Sequence, residues 1–102
     1  MEIIDYIPSG HDNAISREKL LRLLQCTDGS MTDRKMRKLL EDAGRVVPIA
    51  NYQDGKGYFK PCNHAELDRH VSQEESRAMS TMAKLKAARR MQKQVQGQVS
   101  WG

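Results

Sequence analysis

Two cysteines and three histidines are the side chains of this chain best suited to hold a metal or to act as nucleophile and base: Cys26, Cys62, His11, His64 and His70. Only Cys62 and His64 lie close in sequence. A structural zinc site needs paired ligands, usually at C-x₂₋₄-C spacing, and no such pair exists here. Cys62 reads better as a hydrophobic-staple residue ahead of a helix. His11 and Ser16 find no third residue that would complete a catalytic triad. No GxxxxGK[ST], HExxH or GxSxG stretch occurs, and each of those motifs is tied to its own chemistry. Asp12, Asp28 and Asp33 fall in caps and turns, where aspartate is expected for backbone reasons. The reading is a non-enzyme with no metal and no cofactor.

The remaining chemistry is charge. The chain carries 17 Lys and Arg against 13 Asp and Glu, a net +4. The charge is segregated. Residues 1–12 are acidic, 13–45 and 78–102 are basic, and an acidic stretch at 66–77 lies between the two basic zones. The last zone has Lys84, Lys86, Arg89, Arg90 and Lys93 and no acid. Such segregation points to a polyanionic partner.

The elements must place these charges within 102 residues, one domain's worth. No apolar run approaches the roughly 18 residues of a membrane span, and the N-terminus has no basic segment followed by an apolar one. Two cysteines are too few for a disulfide framework. The expectation is a soluble cytoplasmic protein with no membrane partner. Residues 1–12 read as an N-terminal arm laid on the core. Ser16 is a good N-cap, with Ile15 and Leu20 at staple positions. Leu20, Leu21, Leu23 and Leu24 then give a helix at about 17–25. Residues 26–31 form a turn. Thr32 caps a second helix at about 33–43, whose Met36, Leu39, Leu40 and Ala43 make one apolar stripe. Asp33 in its first turn suits the positive dipole end.

The period then changes. Val46 to Tyr52 is short and β-branched, Asp54-Gly55 is a hairpin signal, and Tyr58-Phe59 reads as a returning strand. This predicts a β-hairpin over about 47–60. Asn63 and Glu66 match a capping box and open a helix that nothing breaks until about Lys93. Leu67, Val71, Ala78, Met82 and Leu85 share one side of it, interrupted by Glu74 and Glu75. Residues 94–102 read as a flexible tail.

Helix, turn, helix and hairpin in that order describe a winged helix-turn-helix. The segments AISREKLLRLL, MTDRKMRKLLEDAG and VPIANYQDGKGYFKP together resemble the short winged-helix proteins of bacterial and prophage genomes, over residues 13–61. The expected fold class is therefore mainly α with a β-hairpin wing (α+β), followed by a long C-terminal helix at 62–93. Two departures stand out: the stretch Gln25 to Met31 is longer than the family's turn, and the helix that normally precedes the pair is missing.

The resemblance implies that the second helix enters the major groove of double-stranded DNA. Arg34, Lys38 and Arg45 point away from the apolar stripe, with Lys35 and Arg37 on the flanks. Arg34, near the helix N-terminus, is the first base-reading candidate, followed by Lys35 and Lys38. Thr32 joins them at the helix start. Arg17 and Arg22 on the first helix would position the backbone. Lys56, between two glycines at the 53–57 wing tip, would meet a phosphate or the minor groove. Ala78, Met82 and Leu85 would form a homodimer seam. The function so implied is DNA binding, as a transcriptional regulator or a phage replication or excision accessory. The alternative is a winged-helix adaptor or inhibitor that binds a protein through the long helix.

Overall fold

The structure, a computed structural model, describes residues 2–99, with side chains described to residue 95. Three α-helices follow in order: α1 (Arg17–Thr27), α2 (Asp33–Gly44) and α3 (His64–Val99). Two 3-10 helices, Ile3–Tyr6 and His11–Asn13, precede them. The chain divides into two compact units, residues 1–70 and 71–102, with the division inside α3.

The helix starts follow the side-chain caps. Ser16 Oγ accepts from Lys19 N at 3.2 Å, Thr32 Oγ1 from Lys35 N at 3.2 Å and Asn63 Oδ1 from Glu66 N at 2.8 Å. Each satisfies a backbone N–H that has no partner within its helix. The α1 end lies at Thr27, two residues beyond the predicted end at 25, because Thr27 Oγ1 donates back to Leu24 O at 3.0 Å and Asp28 N to the same carbonyl at 2.9 Å. Two residues of the long stretch after Gln25, Cys26 and Thr27, are thus helix, and the turn to α2 is Asp28 to Thr32.

The first unit has a small core of Ile3, Ile7, Ile15, Leu20, Leu24, Met36 and Leu40. Leu20 and Met36 are completely buried. The predicted stripes are narrower than expected, since Leu23 and Leu39 are each 39% exposed. The N-terminal arm packs on the two helices: it forms a 3-10 turn and inserts Ile3 and Ile7 against α1 and α2. Asp5 Oδ2 holds that turn by accepting from Glu2 N at 3.1 Å.

The β-hairpin wing expected over 47–60 is absent. The described residues hold no strand or sheet, only single bridges, and the fold is mainly α. The returning segment pairs on both sides, but one residue at a time. Phe59 exchanges backbone hydrogen bonds with Ala50 (2.8 and 3.0 Å), and Tyr58 exchanges them with Ile15 (2.8 and 2.9 Å). Lys60 N donates to Pro8 O at 2.7 Å. Between Ala50 and Phe59 the chain leaves any ladder. Asn51 Oδ1 accepts from Gln53 N, Asp54 Oδ1 accepts from Lys56 N, and Gln53 adopts φ +63°. Side chains thus satisfy loop amides that a ladder would otherwise have taken. Pro48, with no N–H, offers no donor to extend the pairing.

Gly57 explains the change of partner. Its φ is +107°, and a Cβ there would stand 2.0 Å from the carbonyl oxygen of Ile15. The glycine therefore seats another part of the same chain.

The predicted tail boundary at Lys93 is not a helix end, because α3 continues to Val99. Residues 100–102, assigned to a flexible tail, lie outside the described residues.

Candidate nucleic-acid interface

The turn between α1 and α2 is held by its own polar groups. Asp28 Oδ1 accepts from Ser30 N at 3.0 Å and from Ser30 Oγ at 2.6 Å. Gln25 Nε2 donates to Met31 O at 3.1 Å. The Ser30 hydrogen bonds hold the Asp28 carboxyl below its ordinary range.

Across the helix pair, Arg17 makes a two-pronged contact with Asp33: Nε to Oδ1 at 2.7 Å and Nη2 to Oδ2 at 2.8 Å. Arg37 Nη2 reaches the same Oδ2 at 2.8 Å, one turn along α2. One carboxylate therefore serves two guanidinium groups. The Arg17 hydrogen bond holds Asp33 below its usual value, and Asp33 raises Arg17 in return. Such a fork contact fixes orientation as well as charge.

The nine predicted DNA-contacting residues sort by their partners. Arg17 and Arg37 are engaged by Asp33. Thr32 caps α2. Arg45 lies 3.3 Å from Glu41 and 3.9 Å from Asp42. Lys56 Nζ is 3.9 Å from Asp12, on the loop that replaces the wing. Lys35 Nζ donates to Ser30 O at 3.2 Å, and its charge faces the Asp28 carboxyl, which it helps to lower after the Ser30 hydrogen bonds. Arg22, Arg34 and Lys38 are exposed and make no ion pair among the described residues. On α2, Arg34 and Lys38 are i and i+4, opposite buried Met36 and Leu40. Arg34 is in the first turn, at the positive end of the helix dipole.

A different side of the unit has the opposite character. An apolar groove of about 550 Å³ lies where the first 3-10 helix meets α1 and α2. Ile3, Ile4, Leu24, Met31, Leu39 and Ala43 line it, with Glu2, Asp28 and Asp42 as its charged groups. A phosphate backbone would be repelled there.

The structure also brings together a cluster that the sequence did not reveal. His11 Nε2 lies 2.6 Å from Asp54 Oδ2. The His11 ring packs on Tyr52 and Phe59, with centroids at 4.8 and 5.2 Å. The Arg69 guanidinium lies 3.9 Å over the Tyr52 ring, a cation–π contact. Tyr52 Oη donates to Glu66 O at 3.1 Å. Glu66 departs from the expected capping box. Its Oε1 accepts from Cys62 N at 3.0 Å and its Oε2 from His11 N at 3.1 Å. These two amides, that of Cys62 first, hold the Glu66 carboxyl below its ordinary value. Asp54 is lowered likewise, first by Lys56 N and then by His11. The cluster clasps the first turns of α3 to the loop and to the N-terminal arm. No local motif could have found it, since its partners are 43 and 55 residues apart.

In the second unit, the residues predicted to form a dimer seam are exposed: Met82 is 59% and Leu85 46% accessible, and Ala78 is also exposed. They share one helical face. Among the described residues no helix is long and apolar enough to cross a membrane.

Comparison with protein-family models, curated proteins and solved structures finds no match.

Proposed function

We propose that the chain binds double-stranded DNA through the exposed face of α2. One observation carries the reading. On the second helix of a pair bridged by Arg17 and Asp33, Arg34 and Lys38 make no ion pair and stand opposite the core, while the neighbouring carboxylate of Asp33 is held by Arg17 and Arg37. Arg34 is the base-edge candidate, because a guanidinium can address the two acceptors of guanine. Lys35, Lys38 and Arg22 are phosphate candidates. Arg17, Arg37 and Thr32 serve by fixing the pair. Arg45 is partly neutralised, and Lys56 takes no part as a wing. A homodimer through Ala78, Met82 and Leu85, a cytoplasmic location and a role in transcription, phage replication or excision belong to the same proposal.

The test is fluorescence anisotropy on a random 30-base-pair duplex at 50 to 200 mM salt. Micromolar binding that weakens steeply with salt is expected, with a slope of about −0.9 per phosphate contacted. Arg34→Ala with Lys38→Ala is expected to weaken binding about tenfold or more without loss of helix content. Unchanged affinity in that variant overturns the α2 assignment. Light scattering at tens of micromolar that reports one copy overturns the dimer.

A further inference from the structure

We infer that residues 86–93 of α3 form a second binding site, specific for the phosphodiester backbone of a nucleic acid. Lys86, Arg89, Arg90 and Lys93 stand at i, i+3, i+4 and i+7, so helical geometry places all four in one stripe. All four are exposed, and none makes an ion pair among the described residues.

An ordinary solvated helix face mixes its signs, and α3 does so in its earlier turns. His64 lies 3.3 Å from Asp68, and Arg77 lies 3.0 Å from Glu74. After Glu75 the chain contains no acid at all. The stripe therefore holds like charges at every i,i+3 and i,i+4 spacing, which destabilises a helix until an anion neutralises them. The four charges span about 10 Å of helix, in axial steps of about 4.5, 1.5 and 4.5 Å, an average density similar to the one negative charge per about 3.4 Å of a DNA strand. The opposite side of residues 84–95 is a weak membrane anchor: its apolar side chains are Leu85, Ala87, Ala88, Met91 and Val95, none of them aromatic, and Lys84 falls among them.

The site shares with the α2 reading only the class of ligand, and it stands on different residues. The experiment compares the full chain with its K86A/R89A/R90A/K93A variant. Alanine retains helix propensity, and far-ultraviolet circular dichroism checks that helix content is kept. Probes are a random 30-base-pair DNA duplex, a single-stranded RNA of equal length, and vesicles rich in acidic phospholipid, each titrated at 50 to 200 mM salt. Loss of four phosphate contacts flattens the duplex slope by about 3.6, a roughly 150-fold smaller fall in affinity across that range. The same loss on RNA, about 2.8 in slope, identifies single strands as an equal source of the backbone. Unchanged slopes on both nucleic acids overturn the inference. So does a wild-type chain that binds neither nucleic acid at 50 mM salt, whether or not it binds the vesicles. Arg34→Ala with Lys38→Ala, run alongside, separates the sites: that variant retains the stripe's share of the slope whether or not α2 binds.

Discussion

Replacing Gly57 by alanine tests the packing that removes the wing. The new Cβ would lie 2.0 Å from Ile15 O, 2.6 Å from Ile15 C and 2.8 Å from Ser16 Cα. Ordinary contact begins near 3.4 Å, so the Ile15 backbone must move by more than about 1 Å. That movement breaks the reciprocal Ile15–Tyr58 hydrogen bonds at 2.8 and 2.9 Å. Two such bonds are worth about 1–3 kcal/mol together. A non-glycine residue at φ +107° adds about 1–2 kcal/mol of backbone strain. The expected cost is about 3 kcal/mol. Gly55→Ala is the control: φ is +86° but nothing lies within 4 Å, so only strain remains, about 1 kcal/mol after the gain from a stiffer unfolded chain. Urea and thermal unfolding followed by near-ultraviolet circular dichroism report the difference, because Tyr6, Tyr52, Tyr58 and Phe59 all lie in the first unit. At about 4–8 °C per kcal/mol, Gly57→Ala should melt some 12 °C or more below wild type. Equal destabilisation by the two variants would refute the argument that Ile15 occupies the space above Gly57.

Thr32→Ala should cost about 1 kcal/mol through the lost cap, and Thr32→Asn should restore most of it. DNA affinity that falls equally with both variants would instead make Thr32 a contact residue. Asp33, Asp54 and Glu66 all have folded pKa values below their ordinary ones. Their stabilisation is therefore complete above the unfolded carboxylate range and is lost as pH falls through the lowered folded values. The urea midpoint should hold from pH 7 to about 5 and drop below that. Asp33→Asn should flatten the drop, and a midpoint indifferent to acid would remove these contacts from the account.

Helix positions are legible because their signals are local. Ser16, Thr32 and Asn63 announce three starts, and the period of Met36, Leu40 and Ala43 places Arg34 and Lys38 outward without any structure. The hairpin is misleading for the same reason. Asp54-Gly55 signals a turn, but it does not choose the partner of the segment after that turn. Here Asp54 turns one oxygen to Lys56 N and the other to His11, and Tyr58 finds Ile15 on a segment 43 residues earlier. Part of the candidate site is hidden likewise. The charges of Arg17 and Arg37 are visible in the sequence, but their common attachment to Asp33 depends on how two helices meet.

The long third helix has a consequence for how the chain melts. From residue 71 to residue 95 it has no buried residue. In a single copy, that stretch is stabilised by residue propensities and its own hydrogen bonds, and such helices unwind gradually. The first unit, with a packed core, loses structure in one step. Calorimetry would record the loss of the core as a peak and the unwinding of the helix as heat spread over a broad range of temperature. Ellipticity would record both, and the two enthalpies would disagree. That disagreement would be a property of the molecule, so a single unfolding free energy does not describe the whole chain.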